Sequence, residues 1–155
     1  MTTNQPVRTR NLERIDVLTR LRSLQERDAR AKATGAAQEA SRLKKARDEA
    51  VAALDNLAAL DNMATEMESS EDFHRQISLE EAYARRARLA ELAWLEATRR
   101  QERLQAAWIE AAKRLRSMEM LQERTERELA RWRLAREARL LDEVTQRNFV
   151  IRSQT

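Results

Sequence analysis

Residues 87–132 read ARLAELAWLEATRRQERLQAAWIEAAKRLRSMEMLQERTERELARW, and one set of positions decides how they fold. Ala87, Ala90, Trp94, Ala97, Gln101, Leu104, Trp108, Ala111, Leu115, Met118, Gln122, Thr125, Leu129 and Trp132 follow one another in alternating steps of three and four, and eleven of the fourteen are apolar. A 3.5-residue repeat held over almost seven heptads keeps one seam of a helix facing a partner as the two supercoil. This stretch is one long helix.

Working back along the chain, Leu43, Ala46, Ala50, Ala53, Leu57, Leu60, Ala64 and Met67 show the same alternation. Upstream, Ala29, Ala33, Ala36 and Ala40 carry the pattern to a phase break near Leu43, and Leu12, Ile15, Leu18, Leu21 and Leu24 recur every three residues. Such slips locally unwind or overwind a supercoil. Between the two periodic halves, Glu68 to Ile77 loses the repeat and gathers cap-forming residues. Ser78, with Glu81 three residues on, fits a capping box, and Ser70 is a rival start.

A short reversal makes neighbouring helices antiparallel, and the two stripes then bury each other within one chain. The expected fold is therefore all-α, an antiparallel coiled-coil hairpin of two long helices. Its expected parts are a flexible tail over 1–11, a first helix over 12–67, a reversal over 68–78, a second helix over 79–147 and a tail over 148–155. Leu43, Ala50, Leu57, Trp94, Leu104, Trp108, Leu115, Leu129 and Trp132 form its predicted core. Folding about Asp72 pairs positions whose numbers total roughly 144, given a common rise per residue. Trp94 then faces Ala50, Trp108 meets Ala36 beside Gly35, and Trp132 comes near Leu12. Gly35 costs about 1 kcal/mol relative to Ala in a helix, which relief of crowding against Trp108 would explain.

Composition agrees and narrows the function. The 155 residues hold one Gly and one Pro, too few turn formers for a sandwich, barrel or βαβ array. With no Cys and a single His, there is no disulfide framework, thiolate or triad, and no glycine-rich phosphate loop is present. No cofactor and no small-molecule substrate is expected. His74 reads as an exposed residue of the reversal. Adjacent acids such as Glu80 with Glu81, or Asp142 with Glu143, diverge by about 100° around a helix and make no catalytic dyad.

The longest apolar run, Ala50 to Leu54, is far below the roughly 18 residues of a membrane span, and the polar start carries no secretory signal. A soluble, cytoplasmic protein is expected. Net charge is only +4 among 56 charged side chains, and the interleaved acids argue against a nucleic-acid partner. The three Trp residues lie on the seam, which suits packing better than base stacking. Lys113 to Arg139 holds a local surplus of nine bases over five acids. Leu89, Leu92, Leu95, Ile109, Met120, Leu121, Leu134 and Leu141 fall outside the seam, and apolar surface left over on a helical hairpin points to docking of other proteins.

Two terminal stretches carry a resemblance. Lys113-Arg-Leu-Arg-Ser-Met-Glu-Met-Leu-Gln-Glu-Arg, then Glu128-Leu-Ala-Arg, then Arg139-Leu-Leu-Asp-Glu-Val-Thr-Gln-Arg-Asn-Phe149, together with the opening Val17-Leu-Thr-Arg-Leu-Arg-Ser-Leu-Gln-Glu-Arg-Asp, resemble the flagellar FliJ family over nearly the full length. The chain is similar also to the YscO-type stalk proteins of injectisomes. The resemblance implies a non-enzymatic stalk of a type III export apparatus, cytoplasmic and peripherally associated with the membrane-embedded machinery. Its implied partners are a hexameric export ATPase, the export gate membrane protein and export chaperones. It would place Arg8, Arg10, Arg14, Arg136, Arg139, Leu140, Leu141 and Phe149 in the ATPase ring. Leu79-Glu80-Glu81-Ala82-Tyr83 is similar to the step opening the family's second helix, which would set Phe73, Leu79, Ala82 and Tyr83 against the gate. A coiled-coil scaffold held at a membrane surface by the basic region is the competing reading.

Overall fold

The computed structural model describes residues 5–63 and 69–153. They form two helices, α1 (Gln5–Met63) and α2 (Ser70–Ser153), and no strand occurs among them. The fold class is all-α. Both helices outrun their expected limits, for physical reasons legible at each end. Pro6 falls in the first turn of α1, where its missing N–H would have had no acceptor, so the segment assigned to a tail is helical from Gln5. Nothing beyond Arg147 breaks a helix, and α2 continues to Ser153 through the stretch expected to be a C-terminal tail.

α2 begins at Ser70, the rival start, and not at Ser78, and its cap is Ser69. Ser69 Oγ accepts a hydrogen bond from the Asp72 amide at 3.3 Å and donates to Asp72 Oδ2 at 2.9 Å. Its carbonyl takes the amide of Phe73 at 3.3 Å, so the first turn is closed from the cap. Glu71 and Asp72 place negative charge at the positive end of the helix dipole. Ser78 lies inside the helix and is exposed. Most of the predicted reversal is therefore helix, while Ala64, Met67 and Glu68 lie outside the described residues.

The chain forms two compact units, one of Met1–Glu26 with Ala111–Thr155 and one of Arg27–Glu110. In the second unit the two helices pair antiparallel. Arg47 meets Trp94 and Glu91, and Arg30 meets Trp108, so paired residue numbers total about 140. In the first unit the contact of Arg8 with Trp132 gives the same total of about 140. The register thus lies a turn away from the one expected. Each Trp faces an Arg rather than Ala50, Ala36 or Leu12, because an arginine stem and planar head cover an indole face that a methyl group leaves open.

All fourteen seam positions from Ala87 to Trp132 are buried or half-buried, and so are all nine predicted core residues. On α1 a continuous run of protected positions passes through Leu12, Ile15, Thr19, Arg22 and Glu26 in the first unit, then Ala29, Ala33, Ala36, Ala40, Leu43, Arg47, Ala50, Leu54, Leu57 and Asp61 in the second, with Thr9, Asp16, Ser23, Ala37 and Ala53 half-buried beside it. These steps of three and four contain no phase break. Ala46 and Leu60, assigned to the seam, are exposed, and so are Leu18, Leu21 and Leu24. A seam of constant phase on α2 requires one on α1, and it accepts polar side chains where the phase demands them.

Among the described residues, the buried ones are Ala33, Ala36, Ala40, Ala50, Ala87 and Ala97 in the second unit and Leu129 in the first. Methyl groups let two backbones approach closely, with the half-buried tryptophans packed between them. Gly35 takes no part in this. It is exposed, and a Cβ built there meets nothing within 4 Å, so crowding by Trp108 does not account for it.

Candidate functional site

In the first unit, the register sets Gln5 opposite about residue 135, and from Arg133 to Arg152 every residue of α2 is exposed. Leu134, Leu141, Val144 and Ile151 recur at helical spacing on one face of this segment, with Leu140 beside them, while Phe149 projects from another side and Val150 falls in the phase of the seam. Phe149 is 74% exposed, the highest value for any large apolar residue among those described. The seam phase itself turns polar after Trp132, passing through Arg136, Arg139, Glu143 and Gln146. The apolar face of the terminal segment is therefore a different face from the one that holds the hairpin.

The expected ring-facing residues all belong to this unit and all are exposed. Two of them converge. The Arg8 and Arg136 guanidinium carbons stand 5.7 and 5.6 Å from the centroid of the Trp132 ring, one from each helix. Each cation is attracted by the ring quadrupole, and the pair fixes positive charge at the last turn where the helices meet. Arg10 and Arg14 lie along the outer face of α1, where a shallow depression also takes in Val17 and Leu18. Arg139, Leu140, Leu141 and Phe149 lie on the terminal segment of α2, and no described contact joins them to Arg8.

The expected gate-facing residues belong to the second unit. Phe73, Leu79 and Ala82 are exposed and Tyr83 is half-buried. Phe73 packs edge-on against His74, with ring centroids 6.2 Å apart. Beside them stands a pairing that inspection of neighbouring acids did not find. The Glu80 carboxyl is raised above the ordinary carboxylate range, chiefly by a hydrogen bond with Asp61 on the other helix, then by loss of hydration and by the repulsion of that second carboxylate. Glu80 and Asp61 are separated widely in sequence, and only the antiparallel register brings them together.

The strongest polar cluster is in the same unit. Arg47 stacks 4.2 Å over the Trp94 ring, Nη1 lies 3.3 Å from Glu91 Oε2 and Nε lies 2.8 Å from Asp48 Oδ1. The Nε contact is one of opposite charges without an aligned hydrogen bond. Elsewhere, Arg42 and Glu39 form an exposed pair with hydrogen bonds of 2.6 and 3.0 Å, which holds the Glu39 carboxyl below the usual range.

Among the described residues, no group of three or more His, Cys, Asp or Glu is placed to hold a metal ion, and no helix is long and apolar enough to cross a membrane. Compared with known proteins, the chain matches no family model, no curated protein and no solved structure.

Proposed function

We propose that the chain is a non-enzymatic coiled-coil stalk of a type III protein export apparatus, of the flagellar kind. In this reading the terminal unit enters the central opening of a hexameric export ATPase. Leu140, Leu141 and Phe149 supply apolar contact, and Arg8, Arg10, Arg14, Arg136 and Arg139 supply charge. The second unit offers Phe73, Leu79, Ala82 and Tyr83 to the export gate, and export chaperones are further partners. Attachment to the membrane-embedded machinery would then be peripheral.

The observation that carries the reading is the terminal segment of α2, exposed from Arg133 to Arg152 with an apolar face off the seam. Such a face on a helix suits insertion against other helices or into a collar of subunits. The resemblance of the two terminal stretches to the FliJ family names the collar. Co-purification with the export ATPase tests it. The full chain should be retained by immobilised ATPase, and Leu141→Asp with Phe149→Asp should release it while leaving the helical circular dichroism signal unchanged. No retention of the full chain would overturn the assignment.

A further inference from the structure

We infer that one flank of the first unit is a docking groove for an acidic amphipathic helix of another protein, a site that shares only Arg14 with the ATPase reading and does not depend on it. Reversing one helix of a pair leaves like flanks of the two seams side by side. Here Asn11, Leu18 and Gln25 of α1 run beside Glu128, Leu121 and Arg114 of α2, at the register set by Arg8 and Trp132. All six are exposed. On the other flank, Thr9, Asp16 and Ser23 of α1 and Ala112 and Glu119 of α2 are half-buried. That flank is the more closed of the two, although Glu126, its next position on α2, is exposed.

The open flank is also the apolar one. Leu18 and Leu121 fall at the same level of the register, 45% and 44% exposed. Leu21, Val17, Leu24 and Met120 extend the patch around the two outer faces, and all are exposed. Nothing in the hairpin requires these residues to be apolar. Contiguous exposed apolar surface on both helices of a pair is the geometry that receives a third helix, whose knobs fall between them.

Charge identifies the occupant. Arg14 stands at one end of the patch and Arg114 at the other, with Arg131 a turn beyond, while Arg124 already holds Glu128 of the same flank at 3.2 Å, so the flank keeps a positive balance. Asp16, Glu119, Glu123 and Glu126 are gathered toward the other flank, the first three paired with Arg20, Arg116 and Arg127, while Glu13 shares a depression with Arg14, Val17 and Leu18. A helix bearing Leu-type knobs and flanking Glu or Asp matches both features. A second copy set flank to like flank does not, because that would oppose arginine to arginine. A bilayer is a poorer match, since Leu18 and Leu121 sit in the channel between two helices, which a helix about 10 Å wide enters and a flat surface does not.

The test uses the full chain and a fluorescent synthetic helix of about three turns with a Leu stripe and Glu flanks, beside a twin with Lys flanks. The Glu peptide should bind at least about tenfold more tightly than the Lys peptide at low salt. Leu18→Asp with Leu121→Asp should abolish binding, and the surface variant Arg114→Glu with Arg124→Glu, which leaves the leucines in place, should reverse the preference. Equal binding of the two peptides, no binding of either, or binding unchanged in both variants would overturn the inference. So would a concentration-dependent dimer lost with Leu18→Asp, which would assign the groove to a second copy. Displacement of the peptide by phosphatidylserine vesicles but not by phosphatidylcholine vesicles would give it to a membrane. Retention of the ATPase by the leucine variant would separate this site from the terminal one.

Discussion

Arg47 and Trp94 are the closest stacked pair between the two helices, with the guanidinium carbon 4.2 Å from the ring centroid. The arginine occupies a seam position that a purely apolar heptad would fill with Leu or Ala, and its side chain is only 23% exposed. Its stem and the indole share the apolar contact while Glu91 and Asp48 take the charge. We expect Arg47→Ala to lower the stability by about 1–2 kcal/mol, measured by urea denaturation, and the double variant with Trp94→Ala to lose about 0.5–1 kcal/mol less than the two single losses together. Full additivity of the two substitutions would show that the stacking contributes nothing.

Gly35 offers a test of opposite sign. It sits in a helix interior with open space where a Cβ would go, and its backbone is not in the left-handed region. Gly35→Ala should therefore stabilise the chain by about 1 kcal/mol and raise the melting temperature. A fall would mean that the position is crowded after all.

The two serines separate the cap from its rival. Ser69→Ala removes the acceptor for the Asp72 amide and should cost about 1 kcal/mol. Ser78→Ala, on an exposed helix face, should be neutral or slightly stabilising. Equal effects in thermal melts would contradict a cap at Ser69.

The paired carboxyls make part of the stability pH-dependent. Because the Glu80 carboxyl is raised in the folded chain, folding binds its proton more tightly. The contribution is complete below the unfolded value and is lost as pH rises through the folded one. Glu80→Gln keeps the hydrogen bond without the charge, so its melting temperature should exceed that of the parent at neutral pH, with the difference shrinking on acidification. Glu39 runs the other way. Held low chiefly by its hydrogen bond to Arg42, it contributes above its unfolded value, and that contribution is lost as pH falls through the lowered one. A gain for Glu80→Gln that grew with acidity would refute the pairing with Asp61.

The α2 seam was legible in full because Trp, Leu and Met at its positions stand out against charged neighbours. On α1 the signal was weaker for a physical reason. Alanines at 29, 33, 36, 37, 40, 46, 50, 52 and 53 fit more than one phase, and apolar counting moved the stripe away from Arg47 and Asp61, which the seam accepts. Near the start of α1, Leu18, Leu21 and Leu24 looked like core and are surface. The open flank follows only once the register shows which leucines the seam leaves out. The terminal arginines and leucines stand out by resemblance, and the exposure of Arg136, Arg139, Leu140, Leu141 and Phe149 follows from how far α2 runs past α1. The Asp61 and Glu80 pairing depends on a register that no local spacing records.

A joint whose teeth are single methyl groups presents nearly the same profile after a slide of one heptad, since Ala29 and Ala36, or Ala33 and Ala40, would mesh alike. What keeps the second unit from creeping along itself is its irregular marks: Trp94 has one arginine to receive it and Trp108 another, at unequal intervals.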